Sequence, residues 1–110
     1  MELPQEAQDK IKQLSGYEQQ LQALGLQRHK VETELSEIES AITALKDSKE
    51  SFKIIGNVMV SADNAILKSD LETQKKKVTL RISSLEKQEN QLRQLSEAVQ
   101  AQVLKQMKGG

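Results

Sequence analysis

The sequence predicts a mainly α fold, two long antiparallel helices paired as a coiled coil and linked by a short β-hairpin. Three observations carry this. Apolar residues recur at every seventh position through both halves of the chain, the spacing of a coiled-coil seam. Between the halves, Phe52 to Val60 reads Phe-Lys-Ile-Ile-Gly-Asn-Val-Met-Val, with β-branched residues on either side of a Gly-Asn pair. The 110 residues are rich in Gln, Glu, Lys, Leu and Ser but hold one Tyr, one Phe and no Trp, which suits a narrow buried seam better than a compact core. The chain is read as one domain over 1–110, with helix 1 at about 4–48, the hairpin at about 51–61 and helix 2 at about 64–107.

Helix 1 is expected to start near Pro4, because proline is tolerated in a first helical turn and Glu6 favours the positive end of the helix dipole. Leu3, Lys10, Tyr17, Leu24, Val31, Ile38 and Leu45 form one heptad column. Ala7, Leu14, Leu21, Arg28, Leu35 and Ile42 form its companion, so charge interrupts the seam only at Lys10 and Arg28. At 1.5 Å per residue such an arm reaches roughly 60 Å. Gly16 and Gly25 each weaken the helix by about 1 kcal/mol relative to alanine, so its N-terminal half is expected to be the looser one.

The Phe52–Val60 segment cannot continue a helix. A two-residue hairpin turn requires positive φ, and Gly56 and Asn57 supply it at least steric cost. A lone two-stranded hairpin is marginal in water and leaves its edges unpaired. The chain is therefore expected to assemble with others through this segment.

Helix 2 is expected to follow Ser61-Ala62-Asp63, where Ser61 or Asp63 can cap it, although Ser69-Asp70 offers a second start. Leu71, Val78, Leu85, Leu92 and Val99 form an unbroken apolar column, and Lys75, Ile82, Glu89, Ser96 and Val103 a mostly polar companion. Folding back about Gly56-Asn57 brings Arg28 and Glu89 into adjacent layers. Two readings stand: they pair and set the register of the two helices, or both stems snorkel and the charged heads stay in water.

Composition narrows the function. Lys and Arg number 16 and so do Asp and Glu, giving a net charge of zero, whereas nucleic-acid binding needs a concentrated basic face. There is no cysteine, hence no disulfide and no thiolate metal site. The longest apolar stretch falls well short of the roughly 20 residues of a membrane span, and the acidic N-terminus lacks an apolar signal region. A soluble, cytoplasmic protein without cofactor or metal is expected. His29 is the only histidine of the sequence, and Glu32, Glu34, Glu37 and Glu39 spread around a helix rather than forming an acid–base pair. Lys75-Lys76-Lys77 points in three directions, and no glycine-rich phosphate loop is present. No enzyme is expected.

Several apolar residues lie off the columns: Ile11, Leu26, Leu80, Leu95, Leu104 and Met107. Leu26 and Leu80 read as ordinary exposed leucines. Leu3, Ile11, Leu14, Val103, Leu104 and Met107, in contrast, gather where both helices end. They are expected to offer adaptable apolar surface to another protein.

The hairpin Phe-Lys-Ile-Ile-Gly-Asn-Val-Met-Val is followed by Leu-Glu-Thr-Gln-Lys-Lys-Lys-Val-Thr-Leu-Arg-Ile-Ser-Ser-Leu-Glu-Lys-Gln-Glu, running on from Leu71. In these segments, flanked by heptad helices, the chain resembles the β subunits of archaeal-type prefoldins over essentially its whole length. The resemblance implies a hexamer of two α and four β subunits, whose hairpins join in a double β-barrel platform carrying six coiled coils. It implies ATP-independent holding of non-native clients at the coiled-coil tips and their delivery to a group II chaperonin. On that reading Phe52, Ile54, Ile55, Val58, Met59 and Val60 make the intersubunit contacts and the tip residues touch client. Lys105 and Lys108 would meet acidic chaperonin surface. The competing readings are a coiled-coil scaffold or tether with one defined partner, and a regulatory coil associated with nucleic acid. A degenerate apolar tip without a charged or aromatic docking motif disfavours the first, and zero net charge the second.

Overall fold

The computed structural model describes residues 4–48 and 50–108. Four elements follow in order: α1 (Gln5–Asp47), β1 (Ser51–Ile55), β2 (Val58–Ala62) and α2 (Asn64–Lys108). They fall into two units. One is Lys30–Ser83, which holds the hairpin and the adjoining helix segments; the other comprises the described residues of Met1–His29 and Ser84–Gly110.

In the hairpin unit, β1 and β2 pair antiparallel with Ile55 opposite Val58 and Ser51 opposite Ala62. The connection is the two-residue turn Gly56-Asn57. Gly56 has φ +60°, and no described non-glycine residue has positive φ. Asn57 therefore does not share the left-handed backbone that the Gly-Asn pair suggests. Positive φ at the first central residue alone is the pattern of a type II′ turn, which matches strand twist as well as type I′ does.

The base of the hairpin is closed by side chains. Asp63 caps α2, its Oδ1 accepting from the backbone N–H of Ala65 at 2.8 Å and of Ile66 at 3.2 Å. Asn64 follows as a bridge: its Nδ2 donates to the Ser48 carbonyl at 2.7 Å, and its Oδ1 accepts from the Ser51 hydroxyl. Ser51 is buried, so this hydrogen bond satisfies a hydroxyl removed from water. The same side chain thus ties the end of α1, the start of β1 and the start of α2.

Both heptad columns are found where the spacing places them. In the hairpin unit Val31, Ile38 and Val78 are buried, with Leu35, Ile42, Leu45, Leu71 and Ile82 half-buried. Lys75 departs from its column: it is exposed, and its ammonium lies 3.9 Å from the Glu39 carboxylate. A four-carbon stem reaches water more cheaply than a buried ammonium finds a partner. In the other unit Ala7, Leu85, Val99 and Val103 are buried, with Leu14, Tyr17, Leu21, Leu24 and Leu92 half-buried. There Gln106 donates to the Glu6 carboxylate at 3.2 Å, placing the start of α1 beside the end of α2 as antiparallel pairing requires.

The two glycines of α1 have no packing role. A Cβ added at Gly16 or Gly25 meets nothing within 4 Å, and neither residue has positive φ. Gly16→Ala and Gly25→Ala are each expected to stabilise the helix by about 1 kcal/mol, read as a rise in thermal midpoint. No change, or a loss, would mean that the glycines serve a close contact after all.

Candidate binding surfaces on the hairpin and at the chain termini

The hairpin exposes apolar side chains on both faces. Cross-strand partners share a face, so Phe52, Ile54 and Met59 lie on one, and Ile55, Val58 and Val60 on the other. All six are exposed, from 43% at Val60 to 69% at Ile54. On the first face Phe52 and Ile54 line an open cleft of about 470 Å³ with Ala41, Leu45, Leu67 and Leu71 of the two helices. The chain's own helices thus leave Phe52 half in water. With two strands in the sheet, each strand also keeps one edge without a neighbour. Such a contiguous apolar surface with free edges is characteristic of a contact site.

At the other candidate site the structure separates residues that the sequence groups. Ile11, Leu104 and Met107 are exposed, at 41%, 57% and 56%. Leu14 is half-buried and Val103 buried, because both belong to the heptad columns. Leu3 lies outside the described residues. Lys105 and Lys108 are exposed in the last turn of α2, where cations suit the negative end of the helix dipole.

Among the described residues Glu89 is the one buried carboxylate. Arg28 Nε donates to Glu89 Oε1 at 2.6 Å, and Arg93 reaches Oε2 of the same carboxylate at 3.3 Å. The Glu89 side chain is 4% exposed and that of Arg28 31%. The acid is enclosed while the base keeps an opening to water. This arrangement can hold a register; beside it opens a cleft of about 240 Å³ lined by Arg28, Glu86, Glu89, Asn90 and Arg93. Among the described residues no group of three or more His, Cys, Asp or Glu is placed to hold a metal ion. No described helix is long and apolar enough to cross a membrane.

Two features escaped the sequence reading. Ile66 is 63% exposed in the first turns of α2, although its neighbour Leu67 is half-buried. The Ser48–Asn64–Ser51 bridge was also missed. Its only sequence signal is polar residues placed symmetrically about the hairpin, a weak cue beside the capping signals that crowd the same stretch.

Comparison with known proteins agrees with this geometry. Residues 8–110 match the family model described as Prefoldin subunit. The chain is 34% identical over 96 residues to the prefoldin subunit beta of Archaeoglobus fulgidus, covering 84% of this chain and 83% of that one. It is 32% identical over 93 residues to the prefoldin subunit beta of Thermococcus onnurineus, covering 82% and 80%. Among solved structures, the crystal structure of the prefoldin beta subunit from Thermococcus strain KS-1 superposes with a TM-score of 0.88 at 27% identity, over 93% of this chain and 92% of that one.

Proposed function

The chain belongs to the prefoldin subunit family, and on that premise we propose that it is a cytoplasmic, ATP-independent chaperone subunit that holds non-native proteins and passes them to a group II chaperonin. Its hairpin joins a β-barrel platform in a hexamer of two α and four β subunits, this chain supplying a β subunit. Client is held at the terminal end of the helix pair by Ile11, Leu104 and Met107. Leu3 is assigned to the same client surface, and the seam residues Leu14 and Val103 join it when a client parts the helix ends. Lys105 and Lys108 meet acidic chaperonin surface.

The observation that carries this reading is the hairpin. A monomer does not leave Phe52, Ile54, Ile55, Val58, Met59 and Val60 in water on two faces of a two-stranded sheet without a partner to cover them. Joining several helix pairs at one platform supplies the rest of the mechanism. Each terminal end offers only a few apolar residues, which bind weakly. Several ends tethered together raise the effective concentration for an unfolded chain and convert weak contacts into retention without ATP. Clients of varied size are accommodated because the contacts are separate.

The test is aggregation suppression by the assembled complex, with and without the terminal residues. Removing the residues before Leu14 and after Val99 is expected to leave the hexamer whole by light scattering while an unfolding client is protected markedly less well than by the untrimmed complex. Equal protection by the trimmed hexamer would remove the terminal end as the client site.

A further inference from the structure

The glutamines of this chain are segregated. Every glutamine except Gln74 falls before Lys30 or after Ser83. Gln13, Gln20 and Gln27 stand at heptad spacing on one flank of the α1 seam, and Gln88, Leu95 and Gln102 stand at the same spacing on the matching flank of α2. A coiled coil ordinarily carries Glu and Lys in such flanking columns, where they pair across the interface and choose the partner. Here three successive positions of each column carry carboxamides and one leucine, with charge returning only at Glu6, Glu34 and Arg81 beyond them.

That flank opens into a groove of about 410 Å³, lined by Leu24, Leu92 and Leu95 and by Gln20, Gln88 and Gln91. Leu24 and Leu92 are half-buried seam residues, while Leu95 is 50% exposed. The three glutamines are exposed, and no hydrogen bond to another described residue engages their side chains. The groove therefore has an apolar lining and unspent donors and acceptors, and no charge.

We propose that this groove binds an extended segment of unfolded polypeptide, its carboxamides hydrogen-bonding the client backbone and its leucines taking an apolar client side chain. A primary amide offers two donors and an acceptor, the complement of a peptide group that has one of each. A charged rim would admit clients of one sign and repel the other. An amide rim admits any unfolded chain, because every chain presents the same backbone. The inference rests on the chaperone reading above and adds to it a second contact surface, built from residues other than Ile11, Leu104 and Met107 and selective for backbone rather than for charge.

The test uses the assembled complex and two unfolding clients of similar hydropathy, one strongly acidic and one strongly basic. Gln88 and Gln91 are changed together, on one helix only, so that no like charges face each other across the seam. Wild type is expected to protect both clients within about twofold in concentration, whereas Q88E/Q91E needs about fivefold more for the acidic client and no more for the basic one. Q88K/Q91K should show the opposite bias, and it decides the matter alone if the first variant does not fold or assemble. Variants that protect both clients as wild type does, or lose both equally with the hexamer whole, overturn the groove. Wild type that protects neither client overturns the chaperone reading and the groove with it.

Discussion

Ile54→Asp together with Val58→Asp is expected to break the assembled particle into subunits and to abolish client protection, while helical circular dichroism stays near its wild-type value. The two residues occupy opposite faces of the hairpin, since Ile54 pairs with Met59 and Val58 with Ile55. The double variant therefore attacks both apolar surfaces at once. In the isolated chain Ile54 is 69% exposed and Val58 60%, so aspartate there costs the monomer little. In an assembly that buries both, the loss of about 1.5 to 3 kcal/mol per apolar side chain weakens association by about 10² to 10⁴ before any charge term. Burying two carboxylates without partners adds several kcal/mol more. Dissociation at micromolar protein, seen by light scattering, is the expected reading. A particle that stays whole while protection is lost would place the client site on the hairpin. Protection by separated subunits would remove the need for tethered helix pairs.

The contrast between what periodicity specifies and what side chains decide runs through this molecule. The seam was legible because burial in a coiled coil is one-dimensional: Val31, Ile38, Leu85 and Val99 are enclosed simply because every seventh residue returns to the same face. The hairpin was legible because Gly56 interrupts β-branched runs that no helix would favour. What failed was chemistry at the edges of these rules. Gly-Asn is compatible with more than one primed turn, and only the structure distinguishes the type in which Asn57 keeps an ordinary φ. Lys75 sits at a seam position but follows its charge outward to Glu39. Asn64 was one polar residue among several able to cap, and its bridge to Ser48 and Ser51 depends on the three-dimensional closeness of α1, β1 and α2. At the terminal site the sequence grouped residues by proximity along the chain. The same heptad rule that located the seam separates Leu14 and Val103, which belong to it, from Ile11, Leu104 and Met107, which do not.

Arg28 and Glu89 offer the sharpest energetic test, because their burial is unequal. Of the two readings for them, pairing is the one the structure shows, at 2.6 Å, yet the carboxylate is 4% exposed and the guanidinium 31%. Removing one partner is therefore not equivalent to removing the other. Arg28→Met leaves an enclosed carboxylate with Arg93 alone, at 3.3 Å and itself largely exposed. Breaking a fully buried pair costs about 3 to 5 kcal/mol, and the remaining arginine and partial exposure reduce this to about 2 kcal/mol. Glu89→Leu, in contrast, puts an apolar side chain in the companion column beside Leu85 and Leu92 and lets Arg28 swing its head into water along an apolar stem. It is expected to be neutral or stabilising by about 1 kcal/mol. The double variant Arg28→Met with Glu89→Leu should be at least as stable as wild type, leaving a coupling energy of at least about 1 kcal/mol in the double-mutant cycle. Stability gained this way has a structural consequence. With the buried charge gone, the layer at position 89 no longer penalises a displaced register, and amide resonances on both sides of it should broaden or double. Zero coupling in the cycle would show that both side chains act through their stems alone. Equal destabilisation by the two single variants would show that the carboxylate is better hydrated than its enclosure indicates.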